Sequence, residues 1–196
     1  MLSSLKSNVA KKVQKVFWVH RTNNFVIAGA NDFRVTEAAR ECRFIAITTE
    51  NCSRVLEFRE PGRVSDYQKK LARNEIGFFA ECGGQVVGSI WATINRAQSP
   101  SIARGHMRLM PNEALIHDIV TGEKSRGKGV GPFMVGRIAS ALLRQYKVSK
   151  IVIDVNVKNK PSMRMMEKAG LQVDQQVFAV SVLGTLAFEK VLKRDA

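Results

Sequence analysis

Near the start of the chain the apolar positions Leu5, Val9, Val13, Val16 and Phe17 recur at spacings of 4, 4, 3 and 1. At about 100° per residue these gather on one helical face, with Lys11, Gln14 and Lys15 elsewhere, so residues 4–19 read as a basic amphipathic helix. A strand-like run at 24–30 follows. The pattern Cys42-Arg43-Phe44-Ile45-Ala46-Ile47-Thr48 predicts a strand over 42–48, and Thr49, Glu50 and Asn51 offer caps for a short helix near 52–58. Pro61-Gly62 breaks the chain, and Ser65 with Gln68 fits a capping box that opens a second helix running through Asn74. Apolar runs at 76–81 and 85–95 flank Cys82-Gly83-Gly84, which is a hairpin signal.

Residues 96–112 form a polar, basic loop punctuated by Pro100, Gly105 and Pro111. After it the elements alternate: strand 114–121, helix 132–147, strand 150–157, short helix 162–169, then strands 171–182 and 185–192 turning at Leu183-Gly184. This order predicts an α/β sheet with parallel members in its middle and antiparallel hairpins at its ends. With 196 residues, 45% of them hydrophobic and 24% charged, the chain has room for one core and one extension. The division we expect is a helix-and-strand extension at 1–30 and a single domain at 31–196.

Composition narrows the class. Cys42, Cys52 and Cys82 show no C-x-x-C pairing, which predicts neither a disulfide framework nor a zinc site and favours a reducing, cytoplasmic setting. The longest apolar stretches, at 25–30 and 177–188, fall short of the ~20 residues of a membrane span. Lysines 11, 12 and 15 interrupt the place where a signal peptide would carry its apolar core.

The formal charge is +14, which favours anionic partners. Two zones carry much of it: residues 1–21 hold four lysines and one arginine with no acid, and residues 121–150 hold seven basic residues with Glu123 the only acid. Two separate basic zones suggest two separate anions. The first zone fits either a helix packed on the body of the protein or one resting on anionic lipid with Phe17 and Trp18 inserted. A specific nucleic-acid partner is not expected, since neither a helix-turn-helix nor an aromatic stacking signature is present.

The second zone contains Thr121-Gly-Glu-Lys-Ser-Arg-Gly-Lys-Gly-Val-Gly-Pro132, a glycine-rich turn between a strand and a helix. Glycines let an anion approach the backbone, the unpaired N–H groups of a first helical turn point at it, and the helix dipole adds partial positive charge. Gly122-x4-Gly127-Lys128 begins like a nucleotide triphosphatase loop, but Gly129 stands where a magnesium-binding hydroxyl is required. A dinucleotide fingerprint starting at Gly127 and Gly129 fails because position 132 is proline. What remains is Arg126-x-x-Gly129-x-Gly131, which resembles the pyrophosphate loop of the GCN5-related N-acetyltransferase (GNAT) superfamily. Downstream, Asn159-Lys-Pro-Ser162 followed by a short helix and Lys168-Ala-Gly170-Leu171 resembles that superfamily's second signature.

The resemblance covers roughly residues 40–192 and implies a mixed central sheet of six to seven strands flanked by helices. It implies acetyl-coenzyme A as the acyl-donor cosubstrate, with no metal. Its diphosphate would lie on Arg126, Gly127, Lys128, Gly129, Val130 and Gly131. Asn159 and Ser162 would meet the pantetheine arm and diphosphate, Ser162 also suiting a helix N-cap. A backbone N–H among Ile119, Val120 and Thr121 would hold the thioester carbonyl.

Acetyl transfer to an amine also requires a base and a proton for the departing thiolate. Strand alternation puts Glu113 and His117 on one face and Asp118 on the other. His117, with a reference pKa near ~6.5, is the first choice of base, with Asp118 and Glu113 behind it. For the acid, many members carry a tyrosine where this chain has Met166, so the proton would come from water, from Tyr67 or from Tyr146, or efficient catalysis has been lost. Met163, Met165 and Met166 are expected to pack.

The expected function is transfer of an acetyl or larger acyl group to a small amine in a ternary complex. Arg104, His106 and Arg108 of the 96–112 loop suit an anionic acceptor such as a nucleotide-linked amino sugar or a glycan precursor. A catalytically inert coenzyme A-binding regulator shares every motif and stays open, as do a homodimer and the lipid contact through residues 4–19.

Overall fold

The computed structural model describes residues 17–36, 38, 41–183 and 185–194. Among these, eight strands form one sheet: β1 (Phe17–Ile27), β2 (Cys42–Ala46), β3 (Ile76–Cys82), β4 (Gln85–Ile94), β7 (Glu113–Thr121), β8 (Lys150–Asn156), β9 (Val173–Val182) and β10 (Thr185–Arg194). The spatial order is β10-β9-β1-β8-β7-β4-β3-β2, with β7 and β8 the one parallel pair. Two short strands, β5 (Ser101–Ala103) and β6 (Met107–Leu109), make a separate hairpin inside the expected loop at 96–112.

The sheet thus exceeds the six to seven strands expected, because β1 enters it. Of the helix expected at 4–19, residues 4–16 lie outside the described residues, and 17–19 belong to β1 instead. Pairing on both sides, with β8 (Phe25 opposite Ile153) and with β9 (Val19 opposite Val180), overrides helical spacing in this stretch. Phe25 and Ile27 are buried in the main core.

Among the described residues three helices pack on the sheet: α1 (Arg63–Ala72), α2 (Val130–Arg144) and α3 (Lys160–Lys168), with short 3-10 turns at Cys52–Glu57 and Glu123–Ser125. On one face Ile90, Ala92, Ala114, Ile116, Ile151 and Ile153 meet Phe133, Met134, Ile138 and Leu142 of α2. On the other, Phe79, Val86 and Trp91 lie under Val55 and Tyr67, and Leu115 and Val152 lie under the β5–β6 hairpin. The central strands β3, β4, β7 and β8 are therefore covered through both of their alternating rows.

Two local expectations fail. The capping box does not form: α1 starts at Arg63 with Gly62 as N-cap, and the Ser65 hydroxyl donates to Gly62 O at 3.2 Å. The turn at Pro61-Gly62 starts the helix earlier, with Arg63 N donating to Glu60 O at 3.1 Å. Second, Cys42 and Cys82 are bonded to each other, with Cα atoms 4.2 Å apart. They are direct partners across the β2–β3 ladder, a relationship set by strand register that C-x-x-C spacing does not reveal. Cys52 is free and buried. No helix among the described residues is long and apolar enough to cross a membrane.

Candidate active site

β7 and β8 pair only from Glu113 opposite Lys150 to Ile116 opposite Ile153. Beyond Ile116 the two strands part, and the end of β7 leads through Gly122 and the 3-10 turn into a tight loop with Gly127 at φ +76° and Gly129 at φ +78°. Gly129 is the N-cap of α2 in the left-handed region that favours glycine. The helix accordingly begins at Val130, ahead of the expected start at Pro132.

A cleft of about 350 Å³ opens here, walled by the end of β7, the glycine loop and the first turn of α3. Every residue expected at the cofactor lines it except Lys128 and Asn159. Lys128 turns its ammonium onto Lys124 O at 2.7 Å, and Asn159 caps α3 by accepting from Ser162 N at 3.2 Å. Asn159, not Ser162, is thus the N-cap. Two helix N-termini and the side chains of Arg126, Arg164 and Lys168 give the cleft a positive field. Gly131 serves packing as well: a Cβ there would stand 2.5 Å from Met165 Sδ, so glycine lets α2 and α3 meet.

The register of β4 against β7 slips inside this region. Ser89 faces Val120 and Trp91 faces His117, so Asp118 and Ile119 together oppose the single residue Ile90. This is a β-bulge, and Asp118 sits in it at φ +47°. The bulge breaks the expected alternation. His117 and Asp118 lie on the same side, with Nδ1 and Oδ2 3.8 Å apart, and the expectation of opposite faces is corrected.

Asp118 opens into a second cavity of about 360 Å³ between α1 and β7, which Tyr67, Lys70 and Arg104 also line. Its carboxylate pairs with Lys70 beneath it and with Arg104, whose Nη2 is 3.2 Å from Oδ1. Burial would raise the Asp118 pKa, but the charges of Lys70 and Arg104 outweigh it and hold the carboxyl far below the usual range. The Lys70 ammonium is buried over the Trp91 ring at 4.9 Å; that burial lowers its pKa, and Asp118 partly offsets the effect.

His117 lies behind Asp118 and is buried. Arg104 Nη1 is 3.2 Å from Nδ1, and Thr93 Oγ1 is 2.9 Å from Nε2. A guanidinium only donates, so Nδ1 accepts and the ring proton is on Nε2, donated to Thr93. Burial depresses the His117 pKa and keeps the ring neutral. Glu113 stands at the far end of β7, where it pairs with Lys150 at 2.6 Å and accepts from Met110 N at 3.0 Å. It does not reach the cavity. Lys70, Thr93 and the arginines in and beside α1 (Arg59, Arg63 and Arg73) were not singled out from the sequence; that Lys70 turns inward one turn after Tyr67 is seen only in the packed helix.

A third cavity, about 570 Å³, lies between Phe58 and the glycine loop. Val120 lines all three.

The family profile described as Acetyltransferase (GNAT) family matches residues 35–171, well over half of the chain. The chain belongs to the GNAT acetyltransferase family. Solved GNAT structures share its fold: the GCN5-related glucosamine N-acetyltransferase region of a fungal multi-domain GH3 β-N-acetylglucosaminidase has a TM-score of 0.57 at 15% identity over 87% of this chain and 22% of its own. A GCN5-related N-acetyltransferase from Kribbella flavida scores 0.53 at 9% identity over 88% and 61%. AAC(6')-Iy, solved in complex with the bisubstrate analog CoA-S-monomethyl-acetylneamine, scores 0.52 at 12% identity over 67% and 91%. The chain thus spans less than two thirds of the length of the first two. Curated protein sequences give no match.

Within the GNAT frame, Met166 is fully buried in the main core, and Tyr146 follows α2, packed against the same core. Tyr67 lines the Asp118 cavity with its hydroxyl bonded to Ser89 Oγ, and burial raises its pKa. No group of three or more potential metal ligands occurs among the described residues.

Proposed function

We propose that this GNAT chain transfers an acetyl group from acetyl-coenzyme A to the amine of a small anionic acceptor. The observation that carries the reading is Val120: one residue borders both the cleft of the glycine loop and the cavity beside Asp118. A thioester reaching in from the first and an amine from the second would meet at its backbone.

The cleft fits the cofactor by its chemistry. The amides of 126–131, two helix N-termini and Arg126 would hold the diphosphate, with Ser162 beside the pantetheine arm. Acetyl-coenzyme A supplies the activated thioester. The bulge leaves one backbone unit of 118–119 out of the β4 ladder, and a free N–H in 119–121 would donate to the developing oxyanion.

On the acceptor side Asp118 would receive the ammonium. Arg59, Arg63, Lys69, Arg73 and Arg104 line this cavity against only Asp66 and Asp118, which supports an acceptor carrying phosphate or carboxylate. Arg104, turning to that anion, would uncover His117 Nδ1 to take the ammonium proton. The amine nitrogen then attacks the carbonyl carbon, the carbon–sulfur bond breaks, and water relays the proton that the nitrogen sheds to the departing thiolate, since Met166 has no proton to give.

Buried Met166 in the tyrosine position is also the observation that favours the second reading, a coenzyme A-binding protein without efficient turnover. A cytoplasmic setting stays part of the proposal, and the Cys42–Cys82 bond is the observation that stands against it.

The test is acceptor-dependent thiol release from acetyl-coenzyme A, run on matched amines with and without a phosphate. The expected result is turnover with a KM at least about tenfold lower for the phosphorylated partner, as one charge-assisted bond would supply. Equal KM values would remove the anionic acceptor, and binding without release for every amine would select the second reading.

A further inference from the structure

We infer that His106 is a positioning residue: it clasps the β5–β6 turn to the sheet and so holds Arg104 against His117 and Asp118. The inference rests on reading the Asp118 cavity as the acceptor end.

β5 and β6 are joined by Arg104, Gly105 and His106; Arg104 and Gly105, at φ +51° and +75°, are the left-handed central residues of a tight turn that His106 N closes by donating to Ala103 O at 3.3 Å. The hairpin is seated through Ala103, Met107 and Leu109 on Leu115 and Val152, apolar contacts that fix its body and leave the direction of the turn undetermined. Polar bonds determine that direction. His106 Nε2 is 3.1 Å from Asp154 Oδ2 on β8, His106 Nδ1 is 2.9 Å from Arg104 O, and Ser181 Oγ on β9 donates to Gly105 O at 3.1 Å. The Arg104 carbonyl is thereby tied at the residue whose guanidinium spans His117 and Asp118.

Both partners of the His106 ring are oxygens that only accept. The ring satisfies the two of them together only as an imidazolium donating from both nitrogens; a neutral ring has one N–H and must release one partner. The charged and titratable groups facing it are Asp154 from β8, Arg104 from its own turn and His20 from β1, whose ring stacks on it at 4.3 Å. Burial works against the charge, as does the Arg104 guanidinium, while Asp154 and the Arg104 carbonyl outweigh them and raise the His106 pKa above its ordinary value. His20 moves the other way, lowered by its burial and by His106. The clasp is therefore closed below the His106 transition and loosens as pH rises through it, freeing one end of the tether on Arg104.

A pH titration of the imidazole nitrogens by long-range proton–nitrogen NMR on the full chain tests this without cofactor or acceptor. His117 is expected to show its own protonation in the acid range and a second displacement of Nδ1 at the His106 midpoint, as the Arg104 hydrogen bond changes. Asp154→Asn is expected to lower the His106 midpoint by about one pH unit and to carry the second His117 displacement with it. A His117 signal that is flat through the His106 transition overturns the inference, as does one that keeps its midpoint in Asp154→Asn. If that variant does not fold, the wild-type titration decides alone. Failure of the acetyltransferase reading would appear elsewhere, as absent acetyl-coenzyme A binding, and leaves this NMR result unaffected.

Discussion

Nη1 of Arg104 points at Nδ1 of His117 across 3.2 Å, which fixes a buried histidine as the neutral Nε2–H tautomer between Arg104 and Thr93. Its folded pKa lies below the unfolded value near ~6.5, so the unfolded chain binds the proton first. The stability that His117 contributes is present above that unfolded value and is lost as pH falls through the folded one. Between pH 7 and 5 the wild-type protein should lose stability more steeply than His117→Gln, by at most about 1.4 kcal/mol per pH unit for one proton. Urea unfolding at several pH values checks this, and parallel curves would show that His117 does not titrate in this way.

Lys70 and Asp118 form a largely buried pair whose halves depend on each other. Lys70→Met leaves the carboxylate with Arg104 alone, and Asp118→Asn leaves an ammonium over Trp91 without its counter-charge. Each should destabilise by about 1–3 kcal/mol, below the cost of breaking a fully buried pair because Asp118 is partly exposed. The double variant should cost less than the sum. Additive losses in a denaturation cycle would mean that the two charges do not interact.

Much of the site was legible in the sequence because glycine and spacing leave local marks. The loop at 121–132 and the Asn159–Ser162 turn both appeared where the cleft lies, and the main-sheet strands from β2 onward lie close to their expected ranges. What stayed hidden is long-range register. An extra residue at Asp118 leaves no spacing signature, yet it turns two expected opposite faces into one shared site. The same holds for β1, whose partners Asn156 and Val182 are far along the chain, and for Cys42 facing Cys82. Lys70 was hidden for another reason: only the packed helix shows that a lysine lies inward.

The Cys42–Cys82 bond ties an edge strand across a sequence separation of 40. Reduction should lower stability by about 2–4 kcal/mol, since a loop of this length is released in the unfolded chain. Melting curves with and without a reductant, with free thiols counted by mass spectrometry, check the size. An unchanged melting temperature on full reduction would leave the β2–β3 ladder sufficient by itself.

The cleft between the end of β7, the glycine loop and α3 is the centre of the account, and calorimetric titration of the protein with acetyl-coenzyme A tests it most directly. One molecule should bind per chain, and Gly129→Glu, which places a carboxylate where the diphosphate would lie, should abolish the heat while circular dichroism shows a folded protein. The left-handed position makes that variant about 1–2 kcal/mol less stable, too little to unfold it. No heat from the wild-type protein at millimolar acetyl-coenzyme A, or unchanged binding in Gly129→Glu, would contradict the account.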